Sequence, residues 1–206
     1  MRCRVRMSAR SHPYALAYHL AAHAVVAERL DLPLISVRLD RRRRTGAVHI
    51  LMEHRDPDGS RMPVERDALC ASAGIAAQER GCGFGSWLNA LEDCATVSKR
   101  LSRFTRDAGE RAAWGLYLQE RARVLVRTCW HEITVIAAVL HHEGAMDGAS
   151  LGATLEAFRV NPFRSDLRPL RPIPWTRPAR PPGGTDEVEL LWSKPKLSEV
   201  VARMRR

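Results

Sequence analysis

At 206 residues, 45% of them apolar, the chain is long enough to bury a substantial core. Its formal net charge of +10 is carried by arginine, which supplies 30 of the 33 basic residues. No apolar run reaches the length of about eighteen residues that a membrane span requires, so no transmembrane segment is expected.

The basic N-terminus, MRCRVRMSAR, leads into a histidine-bearing helix rather than a hydrophobic segment with a small-residue cleavage site. The five cysteines, Cys3, Cys70, Cys82, Cys94 and Cys129, are odd in number and contain no CxxC pair. A reduced cytoplasmic protein is the expectation, not a disulfide framework.

Residues 14–30, YALAYHLAAHAVVAERL, contain neither glycine nor proline and are dominated by strong helix formers. In a helix, positions four apart share a face, so His19 and His23 present two imidazoles to one side. That is the spacing of a zinc-peptidase helix, but the glutamate that would follow the first histidine is replaced by Leu20.

After Pro33, Ile35, Val37 and Leu39 alternate with polar residues as in a half-buried strand. RRRRTG makes a basic turn and residues 47–53, AVHILME, read as the second strand of a hairpin. HRDPDGSRMP (54–63) reads as an exposed loop. A helix resumes near residue 64. Its small residues Ala71, Ala73, Gly74, Ala76 and Ala77 predict close approach to a neighbouring helix. GCGFGS (81–86) interrupts, a further helix carries NALEDCATVSKRLSRF, and another runs from about 108 to 142. The last is too long to be straight and is expected to bend or divide. Leu125, Cys129, Ile133, Ile136 and Leu140 mark its core face. Gly144 closes it and a short helix follows. From residue 159 the chain becomes a proline- and arginine-rich arm, with seven prolines in residues 161–184, which excludes regular helix or central strand there. A short helix at the C-terminal end is expected. The division is therefore a helical domain over 1–158 and an arm over 159–206.

Two histidines are not a metal site. Zinc takes two histidines and a carboxylate when catalytic, and Glu92 and Asp93 are the candidates for the third ligand. Residues 18–27, YHLAAHAVVA, resemble the zinc helix of the FtsH-type ATP-dependent metallopeptidases, YHEAGHAVVA in that family. The resemblance continues in order. ISVRLD with AVHIL is similar to the hairpin after the zinc helix, and AGIAAQE (73–79) to the family's AGRAAEE helix. ALEDCATVSKRL resembles the stretch with the acidic ligand, and WHEITVIAAVLHHEGAMDG the late helix. These segments span residues 14–155.

The resemblance implies a mainly helical, FtsH-peptidase-like domain with a small β-hairpin, and zinc held by His19, His23 and a later aspartate. Asp93 is the best match. Alignment on Ala95-Thr96 places Leu91 at the aspartate, so a two-residue shift recovers Asp93, with Glu92 as the alternative. Leu20 has no proton acceptor to serve as general base. Ala22 replaces a glycine beside the second ligand, and Gln78 replaces a glutamate. No GxxxxGK[ST] loop is present, so no ATP is used by this chain.

The function expected is a degenerate peptidase-like domain that binds a peptide or protein partner. One alternative is an active zinc metallopeptidase with a non-standard base, such as Glu92. Another is a basic nucleic-acid or partner module led by Arg41–Arg44, although no recognition pattern accompanies that charge. His131-Glu132 and His141-His142-Glu143 lack the HExxH spacing and are assigned to the surface and helix ends.

Overall fold

The computed structural model describes residues 2–6, 14–51, 62–83, 87–103 and 105–161, with backbone alone for residues 2–6, 62 and 87–92. The expected architecture is present: mainly helix with a small antiparallel sheet. In chain order the elements are β1 (Arg2–Arg6), α1 (Ala15–Arg29), β2 (Leu34–Asp40), β3 (Thr45–Ile50), α2 (Met62–Cys82), α3 (Trp87–Leu101), α4 (Ala108–Thr128), α5 (Trp130–Glu143), β4 (Ala145–Asp147) and α6 (Gly148–Val160).

Helix α1 is the centre of the core. Every residue from Ala15 to Val26 is essentially inaccessible to solvent, as its near-continuous Ala, Leu and Val sequence dictates: a helix apolar all round must be buried all round. It packs against α2, α5, β2 and β3. Its C-terminal end turns through Asp31, with φ of 54°, before Pro33. A second apolar cluster, Ala68, Leu69, Ala71, Val97, Leu101, Leu118 and Ala122, joins α2, α3 and α4.

The expected hairpin forms between β2 and β3, with Arg41–Arg44 as its exposed turn. Two further strands extend it, giving the order β1-β3-β2-β4, all neighbours antiparallel. Alternation holds at Val37 and Leu39, which are buried, but not at Ile35, which is 54% exposed. The β2–β3 register shifts between Leu34 and Ser36. A bulge there inserts an extra residue and turns Ile35 away from the core.

The long helical stretch divides, as its length requires: α4 and α5 meet at Cys129 with a bend of 78°. Cys129, Ile133, Ile136 and Leu140 are buried, with Leu125 packed against them. Gly144 ends α5 at φ of 79°, a left-handed conformation open to glycine without a steric cost. Among the described residues, no single helix is long and apolar enough to cross a membrane. Most of the loop expected over 54–63 and nearly all of the arm from 159 onward lie outside the described residues, although α2 begins at Met62 and α6 continues to Val160.

Candidate metal centre

The α1 spacing does what the sequence requires of it: His19 and His23 face the same way, and their Nε2 atoms are 3.0 Å apart. Helix α3 brings Asp93 against both. Its Oδ2 is 3.5 Å from His19 Nε2 and its Oδ1 3.6 Å from His23 Nε2. All three residues are buried, and together they form a cluster that can hold a metal ion. Glu92 precedes Asp93 in α3, and its side chain lies outside those described.

The hydrogen bonding fixes the tautomer of His23. Its Nδ1 lies 2.7 Å from the Cys70 carbonyl, which can only accept. Nδ1 therefore carries the proton and Nε2 offers a lone pair to the centre. The ring of His19 has the Gly74 backbone and the Gln78 side chain beside it, yet its buried Nδ1 has no hydrogen bond of good geometry. Two bare imidazole lone pairs 3.0 Å apart would repel. Either a proton on His19 Nε2 or a cation between the rings is needed.

Burial keeps both imidazoles neutral. It pushes the His23 pKa down to about 4, outweighing the Cys70 carbonyl that favours the charged form. His19 is held well below its ordinary value, first by burial and then by His23, against the opposing effect of the Gly74 carbonyl and Gln78. Neutral imidazole is the form that binds metal, so no proton has to be expelled from either ring near neutral pH.

Helix α2 makes the approach possible. A Cβ on Gly74 would stand 2.5 Å from His19 Cε1 and 2.6 Å from both His19 Nδ1 and His23 Nε2. The small-residue stretch is thus the wall against which the two rings rest. Gln78 is buried and its Nε2 donates to the Ala15 carbonyl at 3.3 Å, tying α2 to the start of α1. The Cys70 carbonyl was not identifiable as part of the site from sequence, because a backbone acceptor leaves no residue-type signal, whereas Gln78 stood out only as the replacement of a glutamate, with no sign of its partner in the sequence. Asp93 also borders an apolar cleft of about 220 Å³, shared with Ile75, Val97, Leu101, Arg111 and Leu116.

Leu20 is completely buried. It packs under β3, where a Cβ on Gly46 would be 2.4 Å from Leu20 Cδ1. Ala22 is buried without displacing the histidines. The other histidine motifs do not join the centre. Glu132 instead accepts from Arg29 and Arg159 at 2.7 and 2.8 Å, and His141 meets the Tyr14 ring edge-on at 4.6 Å. Among the described residues, Cys70, Cys82, Cys94 and Cys129 form no disulfide. Neither a known protein-family model nor a curated protein matches the chain.

Proposed function

We propose that this chain is a metallopeptidase-like domain of the FtsH type that retains a zinc site and has lost ordinary hydrolysis, serving to bind a peptide or protein partner. The observation that carries the zinc reading is the convergence of two histidine Nε2 atoms and the Asp93 carboxylate, with separations of 3.0, 3.5 and 3.6 Å. With zinc–ligand distances near 2.0–2.1 Å, the edges of a tetrahedron of ligands are about 3.4 Å, close to those separations. The chemistry of the set also agrees: two neutral imidazoles and one carboxylate leave one position open, as in catalytic zinc sites.

When bound, zinc would supply a Lewis acid at the junction of α1 and α3. His19 and His23 would hold it from one helix and Asp93 from the other. The Cys70 carbonyl, by accepting from His23 Nδ1–H, orients that ring from behind. The position that supplies a general base in the resembled family is here the buried, apolar Leu20, which can neither take a proton from water nor return one to a leaving amine. This supports binding over cleavage.

Elemental mass spectrometry of the purified protein tests the site. One zinc per chain is expected, and none in a folded His19→Ala/His23→Ala variant. Absence of metal from the wild-type protein even after incubation with zinc would reduce the histidines to packing. Loss of hydrolysis is tested separately with Leu20→Glu. Cleavage of an unfolded casein substrate by the zinc-loaded wild-type protein would overturn the assignment of a lost base.

A further inference from the structure

The sheet gathers its charge on one face. In an antiparallel sheet, residues directly opposite share a face and successive residues alternate between faces. The register places Arg2, Arg4 and Arg6 of β1 in the rows of His49, Ala47 and Thr45 of β3, and the Ala47 row continues to Arg38 of β2. The intervening rows hold Val48, Val37 and Leu39, which are buried, and Gly46, which rests on Leu20 of α1. The arginine rows therefore belong to the face turned away from α1, where Arg38, Asp40 and Ala145 are exposed.

The hairpin turn continues the charge, since Arg41–Arg44 are all exposed and directly follow Asp40. Among the described residues, this face and its turn carry eight arginines against two aspartates. Six of the chain's ten excess positive charges thus gather there. Both carboxylates are engaged by backbone. Asp40 accepts from the Arg43 N–H at 2.9 Å, and Asp147 accepts from the Ser150 N–H at 2.7 Å as the cap of α6. The ion pair of Asp40 with Arg43 is loose at 3.7 Å and leaves the Arg43 side chain 84% exposed. No local sequence signal marks the patch, because Arg4 and Arg38 come from strands separated by α1.

We infer that this face of the sheet binds double-helical nucleic acid through its phosphates, without base recognition. A guanidinium fork meets phosphate oxygens through two parallel hydrogen bonds, which an ammonium group cannot do. Residues two apart in a strand are spaced about 7 Å, and β1 and β2, with β3 between them, about 10 Å, so the arginines form a grid that spans several phosphates. Short side chains at Ser36, Thr45 and Ala47 make its floor, and a stiff rod can settle against the arginines over them. They offer little to stack between unpaired bases or to insert into a lipid surface, which favours a duplex over both. The face lies across the sheet from α1, so binding there needs no metal and leaves the metal centre free.

The test uses the full chain. Fluorescence anisotropy on a labelled DNA duplex of about 20 base pairs should show log K falling with log salt at a slope of about −4 to −5, the release expected for about five phosphate contacts. Arg4→Gln/Arg38→Gln should weaken binding about tenfold or more and make the slope shallower by about two. Arg103→Gln/Arg127→Gln removes the same charge from exposed positions off the sheet and should change affinity by less than about threefold. Equal losses in the two variants would reduce the effect to attraction by the net charge and overturn the inference. So would the absence of duplex binding at about 50 mM salt, or tighter binding of the single strand. Vesicles of phosphatidylserine and phosphatidylcholine are the second probe. Binding to them that depends on Arg4 and Arg38, with none to the duplex, would assign the face to lipid and sink the proposal. If the sheet variant does not fold, phenylglyoxal modification of the wild-type chain decides. The duplex should protect Arg38 and Arg41–Arg44 while Arg103 and Arg127 stay reactive, and uniform protection, or none, would refute the assignment of this face.

Discussion

Gly74 is the residue on which the centre turns. Its missing side chain is the space into which both imidazoles fit, since a methyl group there would lie 2.5–2.6 Å from three ring atoms. Those rings cannot simply retreat. His23 is anchored by the Cys70 carbonyl, and both histidines are enclosed completely. Gly74→Ala gains helix propensity but overpacks the site, and the second effect wins: a net destabilisation of about 1–3 kcal/mol is expected, with metal lost. Urea denaturation and metal analysis measure the two effects. Gly152→Ala is the internal control. Nothing lies within 4 Å of that position in α6, so the same substitution should be neutral or stabilising by about 0.5–1 kcal/mol with metal retained. Metal retained at full occupancy by Gly74→Ala would show that the rings have more room than this packing gives them.

Between elements, Glu132 ties three helices together. Near the start of α5, it accepts from Arg29 at the end of α1 and from Arg159 at the end of α6, while Arg159 also pairs with Glu28 at 3.1 Å. The carboxylate is nearly buried but both guanidiniums are about two-fifths exposed, so solvent screens much of the interaction. Glu132→Ala should cost about 1–2 kcal/mol, less than the rupture of a fully buried pair. It should leave metal content unchanged, a combination that denaturation and elemental analysis can check. This network also shows where sequence stops being informative. His131-Glu132 stands out as a motif, yet its partners lie 103 and 27 residues away and nothing local names them. The same limit hides β1 and β4, strands of five and three residues whose partners are distant in the chain. By contrast, α1, the β2–β3 hairpin and the α4–α5 break were legible because periodicity, turn residues and length are local properties. The metal cluster was half legible. Four-residue spacing fixes His19 and His23 on one face, whereas the choice of Asp93 depended on how α3 returns to α1.

At the scale of the whole molecule, the two buried imidazoles make stability depend on pH. In the unfolded chain each titrates near 6.5. Folded, His23 is depressed to about 4 and His19 well below its ordinary value, so the folded state binds fewer protons between those limits. Stability from this source is therefore complete above about pH 6.5 and is lost as pH falls toward 4. For His23 alone the change is on the order of 3 kcal/mol, because each tenfold loss of proton affinity is worth about 1.4 kcal/mol. The groups facing it are His19 on its own helix, Cys70 on α2 and Asp93 on α3. A bound metal adds to the same trend, because protons compete for the nitrogens that would hold it. Urea midpoints measured from pH 7.5 down to 4.5 should fall for the chelator-treated protein. They should fall more steeply for the zinc-loaded protein, since a bound ion joins α1 to α3 only in the folded state. In a folded His19→Ala/His23→Ala variant, the part of the acid sensitivity due to these rings and the entire zinc effect should disappear. If that variant kept the full pH dependence of the wild-type chain, the acid-sensitive groups would have to lie elsewhere, and the buried histidines would not be what couples folding to protons.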